Sequence, residues 1–120
     1  MKIRLKRAYD AVSPEDGERY LVDRLWPRGR SRDSLKLTAW LREVAPSTSL
    51  RRWFGHDPER WEEFRRRYLE ELAERGEELQ RLREAAWRGP ITLVYGARDP
   101  EHNQAQVLRE WLMGQGRDAG

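Results

Sequence analysis

The sequence contains no cysteine among its 120 residues. This absence excludes a disulfide framework, thiolate zinc sites, iron–sulfur clusters and a cysteine nucleophile. The sequence also has no apolar run near the roughly 20 residues that span a bilayer. Its first ten residues, MKIRLKRAYD, lack the apolar segment of a signal peptide. We therefore expect a soluble, cytoplasmic protein that does not enter a membrane.

Several catalytic and nucleotide-binding motifs are also missing. The chain has no GxGxxG, Walker lysine, GxSxG or HExxH pattern. Histidine is scarce, and the spacing of His56 and His102 relative to Asp23 does not favour a metal site. No serine lies next to a histidine, so a serine triad is unsupported. We predict neither a metal nor a cofactor.

Lysine is rare as well, at three of the 24 basic residues, and the other 21 are arginine. The net charge is +3, but residues 1–54 carry +6 and residues 55–120 carry −3. Arginine binds carboxylate and phosphate through a forked guanidinium, although a GC-rich genome or heat adaptation also raises its number. The positions of the arginines are therefore more informative than their count.

The length and composition fit one domain. Apolar residues make up 38% of the chain and charged residues another 38%, and six tryptophans supply much of the large apolar area. Trp61 and Trp111 have the helical spacing of core residues. We predict a single α/β domain over residues 1–113 and a frayed tail over 114–120.

The hydrophobic pattern predicts a short, mostly parallel sheet packed with helices. Strands are expected near residues 2–8, at Tyr20–Val22 and at Ile91–Tyr95. The pattern leaves the strand order open, and the first strand could pair antiparallel or lie apart from its neighbour in sequence. Helices are predicted from Thr38 to Pro46, from Ser47 to Gly55, from Asp57-Pro58 to Gly76, over 77–87, and from Asp99-Pro100 onward.

Polar residues gather after the strand at 20–22. Asp23, Arg24, Trp26 and Arg28 follow it within a segment that Pro27 keeps irregular. In open α/β sheets, ligands bind outside the carboxyl ends of parallel strands. This segment is therefore a candidate edge of a binding site.

A second polar group follows the strand at 91–95. Tyr95 ends that strand, Arg98 lies in the next loop, and His102 and Asn103 come shortly after. If the two strands are parallel neighbours, both groups line one rim, and His56 joins the ligand-binding candidates. Asp99 adds a negative charge at a helix start, which argues against the simplest phosphate site there.

These residues favour binding of an anionic small molecule, such as a nucleotide or a phosphorylated metabolite. Arg24, Arg28 and Arg98 would hold the negative charge, and Trp26 or Tyr95 would pack against an apolar part. Asp23 and His102 are the candidate catalytic residues, which would move a proton if the protein is an enzyme. The remaining ligand-binding candidates are His56 and Asn103.

Two other functions remain open. The basic segment from Arg28 to Arg32 could contact the phosphates of a nucleic acid, although no known binding motif is present. The supply of tryptophan also suits a partner-binding module without chemistry. A purely structural interpretation of these residues competes with all three functions. Basic runs are commonly solvated, and Asp23 could form a structural ion pair with Arg24. The oligomeric state is not readable from the sequence.

A set of short motifs is spread over the chain from Ile3 to Leu112. The motifs are DRLWPRG at 23–29, APS at 45–47, WFGHD at 53–57, Phe64, Tyr68, EL at 71–72, LVY at 93–95 and HN at 102–103. They resemble the YeaO-like family, an uncharacterised bacterial group within a larger domain-of-unknown-function family. The resemblance implies a compact α/β domain and no established reaction. More distant relatives carry a cysteine–histidine–arginine motif after the last strand, and a thiol mechanism imagined for them is unavailable here.

Overall fold

A four-stranded, entirely parallel sheet forms the centre of the computed structural model, which describes the backbone of residues 1–118 and the side chains of residues 1–114. The strands are β1 (Ile3–Arg7), β2 (Glu18–Leu21), β3 (Ala39–Trp40) and β4 (Ile91–Tyr95). Their order is β1-β4-β2-β3, and every neighbouring pair is parallel. The predicted α/β class with a short parallel sheet is confirmed.

The position of β1 settles the question that the sequence left open. β1 pairs parallel with β4, with Ile3 opposite Ile91, and β4 separates it from β2. The connector over residues 8–17 contains one 3-10 turn, Pro14–Asp16. It is too short to hold a full crossover helix. The first strand therefore lies apart from its neighbour in sequence, and the antiparallel alternative is wrong.

Five helices accompany the sheet in the part of the chain that the structure describes. They are α1 (Arg32–Leu35), α2 (Thr48–Phe54), α3 (Trp61–Ala73), α4 (Glu77–Arg88) and α5 (Gln104–Asp118). Ser47 caps α2 by accepting a hydrogen bond from the Leu50 N–H at 3.2 Å, as its sequence predicts. Asp57 caps a 3-10 turn, Pro58–Arg60, that leads directly into α3.

The helix predicted from Thr38 to Pro46 is wrong. Within this range Ala39–Trp40 form β3, and Arg42–Val44 form a 3-10 turn. The Thr38 N–H donates to the Arg19 carbonyl at 2.7 Å, and the Leu41 N–H donates to the Leu21 carbonyl at 2.9 Å. Pairing with β2 therefore outweighs the local capping signal, because backbone groups at the sheet edge need partners.

The last helix begins later than its sequence predicts. It starts at Gln104, and Asn103 caps it by accepting a hydrogen bond from the Gln106 N–H at 3.2 Å. Asp99 instead closes a turn before the helix, where its Oδ1 accepts from the N–H groups of Glu101 at 2.9 Å and His102 at 3.2 Å. The sequence therefore predicts the cap of α5 four residues too early, at Asp99 in place of Asn103.

The larger core lies on one face of the sheet. Helices α2–α5 contribute to it, and Tyr20, Tyr68, Leu93 and Leu108 are almost completely buried there. A smaller cluster on the opposite face contains Ala8, Leu21, Leu35 and Val94, with Trp26, Leu37 and Trp40 packed against it. None of the six tryptophans is fully buried, and Trp87 is 64% exposed. Trp61 and Trp111 pack against the larger core, as their spacing predicts.

A buried ion network lies beside the smaller cluster. The Asp16 carboxylate is fully buried and contacts the Lys6 ammonium at 2.8 Å and the Arg19 guanidinium at 2.7 Å. The Arg19 guanidinium also donates to the Leu35 carbonyl at 2.9 Å. This network ties β1, β2 and the connector between them to α1.

The last residues of the chain are only partly covered by the structure. Helix α5 continues to Asp118, whereas residues 119–120 and the side chains after Gly114 are outside the described part. The frayed tail over 114–120 and the boundary at 113 therefore stay predictions. Within the described residues, no helix is long and apolar enough to cross a membrane.

Gly17→Ala should be strongly destabilising. Gly17 has φ +63° and ψ −143°, and a Cβ atom there would lie 2.0 Å from the Pro90 carbonyl oxygen. Backbone strain and the clash together should lower the free energy of unfolding by about 3 kcal/mol or more. Gly29→Ala is the control, because Gly29 also has a positive φ, +79°, but open space around it. Urea denaturation measures both, and equal losses would contradict the steric explanation.

Candidate functional site

A cavity of about 220 Å³ opens at the carboxyl edge of the sheet, beside the ends of β2 and β4. Its walls come from the loops after these strands, from the segment before α2, and from α2, α3 and the start of α5. The lining residues are Asp23, Arg24, Leu25, Ala45, Pro46, Arg51, Phe54, His56, Phe64, Gly96, Ala97, His102, Asn103 and Gln104. This is where the fold class places a ligand.

Asp23 is the carboxyl group of the cavity. The Gly96 N–H donates to its Oδ2 at 2.8 Å, and the Gln104 side-chain amide donates to its Oδ1. A Cβ atom on Gly96 would lie 2.9 Å from Oδ2, so a glycine at this position allows the close approach. Burial raises the pKa of Asp23 to about 6, against the opposing effects of these hydrogen bonds and of the Arg51 charge.

His102 faces the cavity from the turn before α5. Its Nδ1 lies 2.8 Å from Asp99 Oδ2, and its ring meets Trp61 edge to face at 5.3 Å between centroids. Hydrogen bonds from the Glu101 N–H and from His102 lower the pKa of Asp99, so this carboxylate is ionised and only accepts. Nδ1 of His102 therefore donates, and Nε2 is the ring nitrogen left for a ligand.

Two arginines supply positive charge. Arg24 is half-buried, and its guanidinium donates to the carbonyls of Pro46 at 3.2 Å and Ala45 at 3.3 Å. Arg51 is exposed on α2, and its guanidinium donates no hydrogen bond within the described residues. Arg24 therefore shapes the wall and contributes charge, whereas Arg51 can turn its whole guanidinium to a ligand.

The wall at residues 44–47 is held by α3. The Tyr68 hydroxyl donates to the Val44 carbonyl, and Glu71 accepts from the Ser47 N–H at 2.8 Å and from the Ser47 hydroxyl at 2.5 Å. Arg75 donates to the Glu71 carboxylate at 3.2 Å. This side of the cavity is thus preorganised by side chains that do not line it.

Five of the predicted site residues line the cavity. They are Asp23, Arg24, His56, His102 and Asn103. The structure therefore brings together the two candidate catalytic residues, both histidines and one predicted arginine. Asn103 has a structural duty as well, because its amide caps α5 and donates to the Asp99 carbonyl at 2.9 Å.

The other four predicted residues do not line the cavity. Trp26 packs edge to face on Trp40 at 5.3 Å, on the other face of the sheet. Arg28 and Arg98 are exposed in their loops, and Tyr95 is buried in the larger core. The predicted rim is therefore smaller than expected, because the segment turns away from the cavity after Leu25 and Trp26 covers the second face.

The sequence did not point to Arg51, Gln104, Phe54 and Phe64. Gln104 directly follows the predicted pair His102-Asn103, so one more residue in that motif would have included it. Phe54 and Phe64 have the helical spacing of core residues, and they serve as the apolar floor as well. Arg51 carries no local signal, since only the packing of α2 and α3 brings it to the sheet edge.

The lining residues can hold an anion and exchange a proton with it. None of the described residues that line the cavity is serine, threonine, cysteine, lysine or tyrosine. The cavity thus offers no hydroxyl, thiol or amine nucleophile. Throughout the described part of the chain, no group of three or more histidine, aspartate or glutamate side chains could hold a metal ion.

Known proteins are similar in sequence to this chain over almost its full length. The chain is 45% identical over 112 residues to the uncharacterised protein YeaO of Escherichia coli, covering 93% of this chain and 97% of that protein. It is 41% identical over 113 residues to the uncharacterised protein Rv3073c of Mycobacterium tuberculosis, covering 94% and 95%. No solved structure is significantly similar.

A family model described as the inactive DUF488-N3 subclade matches residues 2–119. The match and the two relatives confirm the resemblance carried by the sequence motifs. The chain therefore belongs to DUF488-N3i, the inactive DUF488-N3 subclade, and to the YeaO-like family.

Proposed function

We propose that the protein binds a small anionic metabolite in the cavity at the carboxyl edge of the sheet. The observation that carries the proposal is the charge of the lining: Arg24 and Arg51 face a cavity in which Asp23 is the one carboxyl group among the described lining residues. The hydrogen bonds from Gly96 and Gln104 fix that carboxyl group in place. The lining is therefore positive whether Asp23 is ionised or protonated.

The polar and apolar parts of the cavity lie on different walls. Arg51 can donate to a phosphate or carboxylate group, and charge-assisted hydrogen bonds of this kind are the strong ones. Nε2 of His102 can accept from a protonated anion, and it can donate only when the ring is protonated. Phe54, Phe64 and Pro46 offer apolar contact to the carbon part of a ligand. Such a lining suits a molecule with one anionic end and a short organic body.

The volume limits the ligand. A cavity of about 220 Å³ holds the volume of roughly seven water molecules, at about 30 Å³ each. A phosphate group with a few carbon atoms fits this space. A complete nucleotide would leave its nucleoside part outside, so the size favours a phosphorylated metabolite or a short carboxylic acid.

Binding without catalysis is the form of this function that the family supports. The subclade is described as inactive, and the chain has no cysteine to supply a thiolate. Asp23 and His102 would then recognise the protonation state of the ligand, because one can donate or accept through its carboxyl group and the other through Nε2. Their candidate role as catalytic residues stays a prediction.

Arg51→Gln should weaken anion binding about tenfold or more, because a hydrogen bond to a charged group contributes roughly 1.5–3 kcal/mol. Isothermal titration calorimetry with inorganic phosphate and with glycerol 3-phosphate measures the effect at low ionic strength. His102→Gln should cause a similar loss. Both variants leave the buried wall contacts of Arg24 intact.

Arg52→Gln is the matched control, because Arg52 is an exposed arginine on the same helix that does not line the cavity. Its affinity for both probes should equal that of the unmodified protein. The proposal is wrong if neither probe binds at millimolar concentration, or if Arg52→Gln weakens binding as much as Arg51→Gln.

A further inference from the structure

A second concave site lies on the opposite face of the sheet. It is a slot of about 260 Å³ lined by Trp26, Arg32, Leu37, Ala39 and Trp40, and we call it the tryptophan slot. Trp26 and Trp40 form its aromatic corner, with 5.3 Å between ring centroids and 67° between ring planes. None of the residues that line the cavity at the carboxyl edge of the sheet lines the slot.

Both indoles are fixed by hydrogen bonds to the backbone. The Trp26 Nε1–H donates to the Arg30 carbonyl at 2.6 Å, and the Trp40 Nε1–H donates to the Asp23 carbonyl at 2.7 Å. Each ring is therefore held in place while part of its surface stays accessible. A rigid aromatic corner of this kind loses little conformational entropy when a flat group stacks in it.

The segment that builds the slot is strongly basic. Residues 26–42 carry five basic side chains and one acidic side chain. Arg32 lines the slot, and the Arg42 guanidinium lies over the Trp40 ring at 4.0 Å from its centre. Arg28 and Lys36 are exposed in the same segment. An occupant that matches the slot therefore combines a flat apolar group with negative charge.

We propose that the tryptophan slot binds single-stranded nucleic acid, with one base in the aromatic corner and the adjacent phosphates on Arg28, Arg32 and Lys36. Base stacking on aromatic side chains within a basic groove is how proteins hold single strands without sequence preference. A duplex hides the faces of its bases, so it cannot fill the corner. An acidic peptide matches the charge but lacks a regularly spaced flat group.

The test uses fluorescence anisotropy of a labelled twelve-residue oligothymidylate with the full chain. Binding should weaken with salt at a slope of about −2 on a log–log scale, as expected for three phosphate contacts. Trp26→Leu should lower the affinity about tenfold to a hundredfold, and Trp26→Phe should lose less because it keeps an aromatic face. Arg32→Gln should reduce the salt slope by about 0.7.

Arg52→Gln is the control, because Arg52 is an exposed arginine on α2, which packs on the other face of the sheet. If Trp26→Leu fails to fold, Trp26→Phe and the exposed Arg32→Gln still test the site. The proposal is overturned if the oligonucleotide does not bind at low salt. It is equally overturned if a duplex or an oligoglutamate binds as tightly, or if Arg52→Gln weakens binding as much as Arg32→Gln.

Discussion

Asp23→Asn should stabilise the protein at pH 8 by about 3 kcal/mol and have almost no effect at pH 4. The pKa of Asp23 is about 6 in the folded state against 3.8 for an unperturbed aspartate. At pH 8 the Asp23 carboxyl group is ionised in both the folded and the unfolded state. Its charge is buried in the folded state and solvated in the unfolded state, so the charge lowers the free energy of unfolding. Between pH 4 and pH 6 the folded state binds more protons, and stability therefore falls as the pH rises through this window.

Urea denaturation at pH 4, 6 and 8 measures the difference in the free energy of unfolding between the two proteins. Gln104 can turn its side-chain amide to meet the amide that the substitution introduces, so both hydrogen-bonding positions stay filled. Asp33→Asn is the control, because Asp33 is exposed on α1 and its substitution should change little at any pH. A pH-independent difference would show that folding does not raise the pKa of Asp23, and a loss of stability at pH 8 would show that its carboxylate stabilises the fold. Either result contradicts the prediction.

A carboxyl group that lowers stability is informative about function. Nothing in the packing around Asp23 requires a charge, since a neutral amide can accept from the Gly96 N–H and donate to the Gln104 side chain once that side chain turns over. Groups whose pKa is shifted by burial and that lie in a cleft are enriched at binding and catalytic sites. The expected gain in Asp23→Asn thus measures the cost of keeping an ionisable group at the cavity.

Asp16→Ala should destabilise the protein, in contrast to Asp23→Asn, and its effect should be larger. We expect the free energy of unfolding to fall by about 3–5 kcal/mol at pH 7. The substitution leaves the guanidinium of Arg19 buried without its carboxylate, and Lys6 loses its contact as well. Burial alone raises the pKa of Asp16, but hydrogen bonds from Lys6, the Ser13 N–H and Arg19 outweigh it and lower the pKa. The stabilisation is therefore complete above pH 4 and is lost as the pH falls through the folded-state pKa.

Glu15→Ala is the matched control in the same connector. Glu15 is exposed and contacts Arg4 at 3.5 Å, so its removal should cost less than about 1 kcal/mol. Thermal or urea unfolding compares the two variants at pH 7. A loss below about 1 kcal/mol in Asp16→Ala would contradict a structural role for the buried network.

The elements that were predicted correctly have strong local signals. The β-branched run Ile91–Tyr95 and the apolar stripe of α3, with Phe64 and Tyr68, need no distant partner to be recognised. β3 was missed because Ala39-Trp40 becomes a strand only through pairing with β2. The start of α5 was missed because Asp99 and Asn103 are both good caps, and only the packing of the turn selects between them.

The candidate site was predictable to the extent that it depends on the parallel sheet. Asp23 and His102 follow β2 and β4, which are neighbours, so both reach the same edge. Trp26 and Arg28 follow the same strand, but their segment crosses to the other face, and a sequence pattern does not show such a turn. Arg51 arrives from a helix that is distant in sequence, so only the folded structure reveals it.

The edge position of β1 has a consequence for self-association. Among the described strands β1 pairs only with β4, and such an edge can act as a template for another chain. Its five residues include Arg4, Lys6 and Arg7, and Lys2 precedes them. Arg4 contacts Glu15, and Lys6 contacts Asp16. A second copy laid along this edge would still bring the Lys2 and Arg7 side chains of the two copies together, and like charges oppose pairing. The basic character of the first strand therefore protects an open sheet from growing into aggregates.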